Sequence, residues 1–465
     1  MKKYNSQDRR HFLKQLGGMA SMAAVSQLDW SHAQQENISY SQPKMKKYGP
    51  NDTLGLAVIG MGIMGFKNIE TALKMEGTRL VAACDLYEGR LERTQEVYGK
   101  DVFTSKNYQE ILDRDDVDVV YIATSDHWHD KISIDALKKG KHVYCEKPMV
   151  HHLDEGHAVI KAEQKSGKVF QVGSQRVSSI VYQQARDLYK AGDIGELVLA
   201  EIFYDRQSAL GAWQYSIPTD ANKKRVDWKG FLGDAPKRDF DPMRFFRWRN
   251  YQDYGTGVAG DLFVHLFSGL HLVLDSAGPE RIYATGGLRY WKDGRDVPDI
   301  MLGSYDYPET SSHPAFNVQM RVNFIDGGGG GSQIRLVGTE GVLIIGWNSI
   351  KVLRSKLPEA PGYGGWDSFF TFSEAEQKEY EAWYQSTYPK KAKMNAPQAM
   401  EYTAPKGYSD AYDHHWGFQH AIRNGGKVVE DATFGLRAAG PALATNLSYF
   451  DQKIINWDPI EMMVK

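Results

Sequence analysis

From about residue 53 the chain alternates short, mostly apolar runs with amphipathic stretches. The apolar runs fall at 56–59, 79–84, 117–123, 143–145 and 169–172, with helical patterns starting near Met64 and Glu88. Short runs without polar alternation read as strands covered on both faces, and such strands alternating with helices predict a parallel, doubly wound sheet. Past Gln175 the pattern changes. A helical stretch at 179–191 gives way to strand candidates at 197–204, 281–285, 317–324, 333–338 and 341–345 with few helices between them. This predicts a second, α+β domain with a large, mostly antiparallel open sheet. The run 326–331, one Asp and five Gly, predicts a glycine-rich hairpin loop. A small-residue stretch at 430–450 predicts a helix. The expected organisation is a parallel α/β domain over 53–175 and the α+β domain over 176–465, with 34–52, which lacks periodicity, as a linker.

The N-terminus adds a different signal. Arg9-Arg10 is followed by a weakly apolar run at 16–25 and by Ser31-His32-Ala33, a layout that resembles a twin-arginine export signal. Residues 1–33 are therefore expected to be a signal peptide read by the twin-arginine export machinery, and the location periplasmic or otherwise exported. The run is far shorter than the roughly 20 residues a membrane helix needs, so no membrane span is expected. Hydrophobic residues make up 42% and charged residues 25%, which fits a globular chain. A formal charge of -2 argues against nucleic acid as a partner. Two cysteines, Cys84 and Cys145, end apolar runs and read as buried free thiols.

Candidate chemistry begins at Gly60-Met61-Gly62-Ile63-Met64-Gly65, directly after the first apolar run and opening a helical pattern. This is the setting of a dinucleotide fingerprint. The first glycine permits a tight turn, the second lets the backbone approach a pyrophosphate, and the third lets helix pack on strand. The helix N-terminus offers N–H groups to the anion. Asp85 ends the next strand candidate, about 20 residues on, where an acid can accept from a ribose 2′-OH. The first domain is thus expected to be a Rossmann domain binding NAD, with Arg90 and Arg93 close enough to leave room for NADP.

Three further stretches carry a resemblance. Residues 118–129 (DVVYIATSDHWH), the Glu146-Lys147-Pro148 tripeptide, and Asp261 and His265 within 257–266 (GVAGDLFVHL), taken with the fingerprint, resemble the Gfo/Idh/MocA family, which includes glucose-fructose oxidoreductase and inositol dehydrogenases. Ser125 stands where that family often has Pro. The resemblance implies cofactor contacts from Gly60, Gly62, Ile63, Met64, Gly65, Asp85, Thr124, His127, His129, Glu146, Lys147 and Pro148. It also implies a catalytic set of Lys147, Asp261 and His265. The physical case runs alongside: a lysine at a strand's C-terminal end lies at the ligand crevice of a doubly wound sheet, and its ammonium can polarise an oxygen. Asp261 and His265, at i and i+4, share a face if the stretch is helical. Histidine suits proton removal near neutral pH.

The segment 213–254 is dense in aromatics and arginines, a composition that suits a carbohydrate pocket and equally a core. Trp213 and Trp248 from it, with Tyr204, Arg206 and His271, are candidate substrate contacts. The clusters Asp413-His414-His415 with His420, and His151-His152 with His157, match no zinc spacing, and no metal is expected. The function implied is an NAD(P)-dependent sugar or polyol oxidoreductase. Two alternatives remain open: a glycoside hydrolase that oxidises its sugar transiently with retained NAD, and a non-catalytic nucleotide-binding subunit. A broad antiparallel sheet needs a cover for one face, so a homodimer or homotetramer is expected.

Overall fold

The computed structural model describes residues 33–43, 48–49, 52–355, 360–389 and 399–465. The twin-arginine motif and its apolar run lie outside the described residues. The first strand, β1 (Gln34–Asn37), falls within the stretch expected as a linker. It pairs in parallel with Met400–Thr403, and Ile38 just beyond it is buried. Four exposed edge residues bury no face, so hydrophobic periodicity could not reveal them; the main-chain ladder and a Tyr40 Oη bond to Asp413 Oδ1, 2.7 Å long, hold the segment instead.

The first domain contains β2 (Leu54–Ile59), β3 (Thr78–Cys84), β4 (Phe103–Ser105), β5 (Val119–Ile122), β6 (His142–Cys145) and β7 (Phe170–Val172). They form a parallel sheet in the order β4-β3-β2-β5-β6-β7. The winding reverses between β2 and β5. A crevice therefore opens beyond the C-terminal ends of these two strands, which is where open α/β sheets bind ligands. Strands β2, β5 and β6 are almost wholly buried, as uniformly apolar runs require.

The second sheet takes β8 (Leu197–Asp205), β9 (Arg281–Gly287), β10 (Ile300–Tyr307), β11 (Phe316–Asn323), β12 (Gly331–Gly338), β13 (Gly341–Ile345), β14 (Ser349–Arg354), β15 (Met400–Thr403), β16 (Ile455–Asp458) and β17 (Met463–Val464). Its order is β1-β15-β14-β13-β12-β8-β11-β10-β9-β16-β17, and it is mostly antiparallel, with parallel pairs at β1–β15 and β8–β11. This corrects the hairpin expected at 326–331. Because β8 lies between β11 and β12, the glycine run crosses the end of β8, and a Cβ on Gly330 would stand 2.8 Å from the Asp205 carbonyl oxygen. Strand β11 alternates buried and exposed residues along its length, so one face meets the core and the other is open.

Three helices set the site. Helix α1 (Ile63–Ala72) follows β2, α2 (Val264–Leu274) lies under the second sheet, and α3 (Ala432–Asp451) packs against both domains. The small residues of α3 explain that position. A Cβ on Gly435 would come 2.6 Å from Val172 of the first sheet, and one on Gly440 would come 2.6 Å from the Trp457 ring of the second.

The aromatic segment between β8 and β9 departs from the open pocket considered above. Phe231, Phe245, Phe246, Tyr251 and Tyr254 bury one another against Tyr87 of the first domain, with Trp228 beside them. The docking is also main-chain: Asp227 N–H donates to the Leu86 carbonyl at 2.8 Å. These aromatics are a small core that fixes the second domain over the crevice.

Candidate active site

The chain leaves β2 through Gly60 at φ +97, where a Cβ would lie 2.5 Å from the Ala123 carbonyl oxygen. Only glycine accommodates both that φ and that approach. A Cβ on Gly65 would lie 2.1 Å from the Gly60 oxygen, so this glycine lets α1 close on the turn. At Gly62 the nearest atoms a Cβ would meet are those of the Arg90 guanidinium, 3.9 Å away. Gly62 caps α1 without a side-chain acceptor, which leaves the first-turn N–H groups, including those of Ile63 and Met64, without a capping partner. An open glycine beside uncapped N–H groups fits a dinucleotide pyrophosphate.

Asp85 accepts from the Met61 N–H at 2.8 Å and the Tyr87 N–H at 2.9 Å, and Arg90 stands 3.3 Å away. The carboxylate therefore braces the glycine turn besides occupying the position expected of a ribose acceptor. An acid suited to a 2′-OH and a cation suited to a 2′-phosphate are a contact pair here.

Several residues expected at the cofactor bond to the protein's own groups. Both ring nitrogens of His127 lie against carbonyl oxygens of the docked segment, Nε2 with Phe231 at 2.9 Å and Nδ1 with Tyr254 at 3.3 Å. Burial lowers this ring to about 4, so it is neutral. His129 is buried, with Nδ1 2.7 Å from the Pro148 oxygen and Nε2 3.3 Å from the Thr124 oxygen. Burial opposes its charge, but Cys145, Asp126 and the Pro148 carbonyl raise it to about 10. As a cation it can donate to both carbonyls, tying the loop after β5 to the loop after β6. Glu146 is buried and accepts from Asn68 Nδ2 at 2.8 Å and Gln175 Nε2 at 3.1 Å, anchoring α1 to the domain junction. The Lys147–Pro148 peptide is cis.

The centre is built on Lys147. Its Nζ donates to Asp261 Oδ1 at 2.9 Å and to the Asp261 carbonyl at 2.8 Å. Arg249 Nε reaches the same Oδ1 at 3.1 Å. Asp261 lies in a π turn, Ala259–Phe263, that runs directly into α2, so the regular i, i+4 face expected for Asp261 and His265 is replaced by a π-to-α junction. Such wider turns recur at functional sites. His265 is the second residue of α2 and half-buried, with its ring 6.4 Å from that of Tyr204.

Charges decide the protonation states. Burial would raise the Asp261 carboxyl, but the Lys147, Arg249 and Arg206 cations outweigh it and hold it well below the usual carboxylate range. Burial, with Lys147, Arg206 and Arg176 nearby, holds His265 well below its usual value. The site thus joins a carboxylate, a cluster of cations and a neutral imidazole. It can accept a proton at His265 and stabilise negative charge growing on an oxygen near Lys147.

The expected substrate residues divide. Tyr204 lines a cavity with His265, and Arg206 stacks on Tyr204 at 5.1 Å. Trp213 is buried, with φ +63, and packs edge-on against Phe324, so it supports the cleft from within. Trp248 carries the Arg249 guanidinium 4.2 Å over its ring and so acts on the site through Arg249. His271 is buried against Tyr307 Oη at 2.9 Å and belongs to the core. Arg249 was visible in sequence only as one arginine of the aromatic-rich segment. Gln175 and Arg176 carried no signal, because Asp410, the Arg176 partner, is 234 positions away.

His414 and His415 are held in the core. His414 lies 2.8 Å from both Ser178 Oγ and the Val172 oxygen, and His415 stacks on Tyr144. Among the described residues no three His, Cys, Asp or Glu side chains are grouped to hold a metal ion. Cys84 and Cys145 are free and buried.

A doubly wound sheet with this glycine turn is joined to a second sheet that brings Asp261 and His265 to Lys147, a two-domain arrangement with a candidate nucleotide crevice. Residues 54–174 match the Gfo/Idh/MocA model, described as an oxidoreductase family with an NAD-binding Rossmann fold. Inositol 2-dehydrogenase of Salmonella typhimurium is 32% identical over 146 residues, covering 31% of this chain and 44% of that protein. Alpha-N-acetylgalactosaminidase of Shewanella oneidensis is 28% identical over 243 residues, covering 48% of this chain and 50% of that protein. The chain thus spans about half the length of the curated relatives it matches. Among solved structures, levoglucosan dehydrogenase in complex with NADH and levoglucosan shares the fold at TM-score 0.59 and 17% identity, over 87% of this chain and 99% of that one.

Proposed function

We propose that the protein is an NAD-dependent oxidoreductase acting at a hydroxyl-bearing carbon of a sugar or polyol. The observation that carries this reading is the Lys147–Asp261 contact at 2.9 Å, made across the two domains beside a neutral His265 and at the end of a strand bordering the crevice. A bound nicotinamide supplies the hydride acceptor. Lys147 orients the reacting oxygen and stabilises charge on it. His265 takes the hydroxyl proton on its imidazole and returns it in the reverse direction. Asp261, fixed between Lys147 and Arg249, holds the ammonium in place. Alignment of this kind can be worth on the order of 7–11 kcal/mol.

The test is formation of reduced nicotinamide from NAD with glucose, galactose, N-acetylgalactosamine and myo-inositol, in the parent protein and in Lys147→Met. Turnover that is lost in the variant is expected; equal rates in both would overturn the reading.

The 28% likeness to an alpha-N-acetylgalactosaminidase over 243 residues favours a second reading, redox-assisted glycoside cleavage with no net redox change. Release of 4-nitrophenol from a 4-nitrophenyl glycoside at constant nicotinamide absorbance marks it. We also infer export through the twin-arginine route, supported by Arg9-Arg10 and the run behind it; replacing both arginines by lysine should keep the protein in the cytoplasm. A homodimer or homotetramer is proposed on the open sheet face, where Val198, Tyr283 and Leu302 are exposed. Light scattering that gives a monomer at micromolar concentration contradicts it.

A further inference from the structure

Beside His265 the cleft continues into a cavity of about 170 Å3, lined by His265 and Tyr204 together with Gln175, Arg176, Trp347 and Asp410. Trp347 lies in the turn between β13 and β14, outside every motif described above. Arg176 fixes it from behind. One guanidinium nitrogen donates to Asp410 Oδ2 at 2.7 Å, the other terminal nitrogen donates to the Trp347 carbonyl at 2.7 Å, and the guanidinium carbon stands 4.5 Å from the centre of the indole. The Arg176 side chain is only 11% exposed, yet Trp347 is 52% exposed. An indole clamped on a buried cation and left half open at the mouth of a cavity is a rigid apolar platform, with no other ring of the described residues stacked on it.

We propose that Trp347 and Arg176 form a second sugar subsite, so that the substrate is a glycoside or oligosaccharide rather than a free monosaccharide. The reacting ring sits against His265 and Lys147, and the neighbouring ring or aglycone stacks on Trp347. This rests on the sugar hydride-transfer reading of the site. The chemistry is complementary: the C–H face of a pyranose, or an aromatic aglycone, meets the electron-rich indole face. Arg176, Asp410 and Gln175 offer the few placed polar groups that fix hydroxyls in an otherwise apolar pocket. A free monosaccharide at His265 would leave the platform without a function.

The test compares 4-nitrophenyl glycosides of glucose, galactose and N-acetylgalactosamine with the corresponding free sugars, on the NAD-loaded full chain and its Trp347→Ala and Trp347→Phe variants. Binding is followed by saturation-transfer NMR and turnover by nicotinamide absorbance and 4-nitrophenol release. At least one glycoside should bind the parent more tightly than its free sugar. Trp347→Ala should weaken that glycoside about tenfold, the free sugar should lose clearly less, and Trp347→Phe should recover most of the loss. Equal losses for glycoside and sugar, no preference for any glycoside in the parent, or no glycoside binding at millimolar concentration overturns the subsite. Glycoside binding that depends on Trp347 without any hydride transfer keeps the subsite and overturns the hydride-transfer reading instead.

Discussion

The meeting of Lys147 with Asp261, and His265 one turn on, was expected from the family resemblance, because each stands in a local motif. Their energetics were not legible, since the cations that set them come from elsewhere in the chain. Lys147 has two acceptors on Asp261 and no equivalent replacement. Lys147→Met should lower kcat by about 100-fold or more while leaving nucleotide binding within a few-fold, as expected for loss of charge stabilisation on a reacting oxygen. Lys147→Arg should not restore the rate, because a planar fork cannot reproduce a point ammonium; steady-state kinetics with NAD titrations check both. The histidine gives a pH prediction. Burial and the surrounding cations hold the folded His265 well below its usual value, so it stays available as a base as pH falls through 6.5. The acid limb of kcat/KM for oxidation should therefore lie well below pH 6.5. Arg206→Met removes one of those cations, raises the imidazole pKa and should move the limb upward. A limb at pH 6.5 or above in the parent, or one unmoved by the variant, contradicts the assignment.

Among the elements, the strands that could be read were the continuous apolar runs of the first sheet and, in the second, runs such as 281–285 and 317–324 that became β9 and β11. Strand β14 (Ser349–Arg354) is interrupted by Ser349, Lys351 and Arg354, and β10 (Ile300–Tyr307) by Gly303, Ser304 and Asp306, so neither made a continuous apolar run. Strands β1 and β15 pair at the sheet edge, and the insertion of β8 between β11 and β12 is a long-range choice that no local pattern encodes. Conversely, the dense aromatics of 213–254 gave a clear composition and an ambiguous meaning: the same residues build a pocket or a core, and here most build a core against Tyr87. The glycine turn is the element most exposed to a single change. Gly60→Ala puts a Cβ 2.5 Å from the Ala123 carbonyl at a φ of +97, a strain on the order of 1–3 kcal/mol. NAD affinity should fall at least tenfold and the melting midpoint should drop. Unchanged affinity by calorimetry would mean that the turn does not shape the nucleotide site.

At the scale of the whole molecule the two sheets are locked by α3 and by buried polar groups between them. Glu430 is fully buried, with Oε1 within reach of Ser174 Oγ at 3.2 Å and Ser268 Oγ at 3.3 Å and the other oxygen without a partner among the described residues. Burial raises its carboxyl to about 8 from an ordinary 4.5, so the folded protein keeps this proton at neutral pH. Between those two values the unfolded chain has lost the proton and the fold has not; the fold binds more protons, and stability falls as pH rises across that window. Glu430→Gln should remove this slope, melting several degrees above the parent at pH 8 and converging with it near pH 4. Parallel melting profiles for the two proteins across pH 4–9 would contradict the assignment. The central claim is hydride transfer at the interface those groups hold together. It is tested most directly by giving the NAD-loaded protein carbon-deuterated sugars and their glycosides in a single turnover, and examining the nicotinamide by mass spectrometry and NMR. Deuterium is expected at nicotinamide C4 in the parent, transiently if the cofactor is recycled, and none in Lys147→Met. Turnover of a deuterated substrate with no deuterium ever reaching C4 would contradict it.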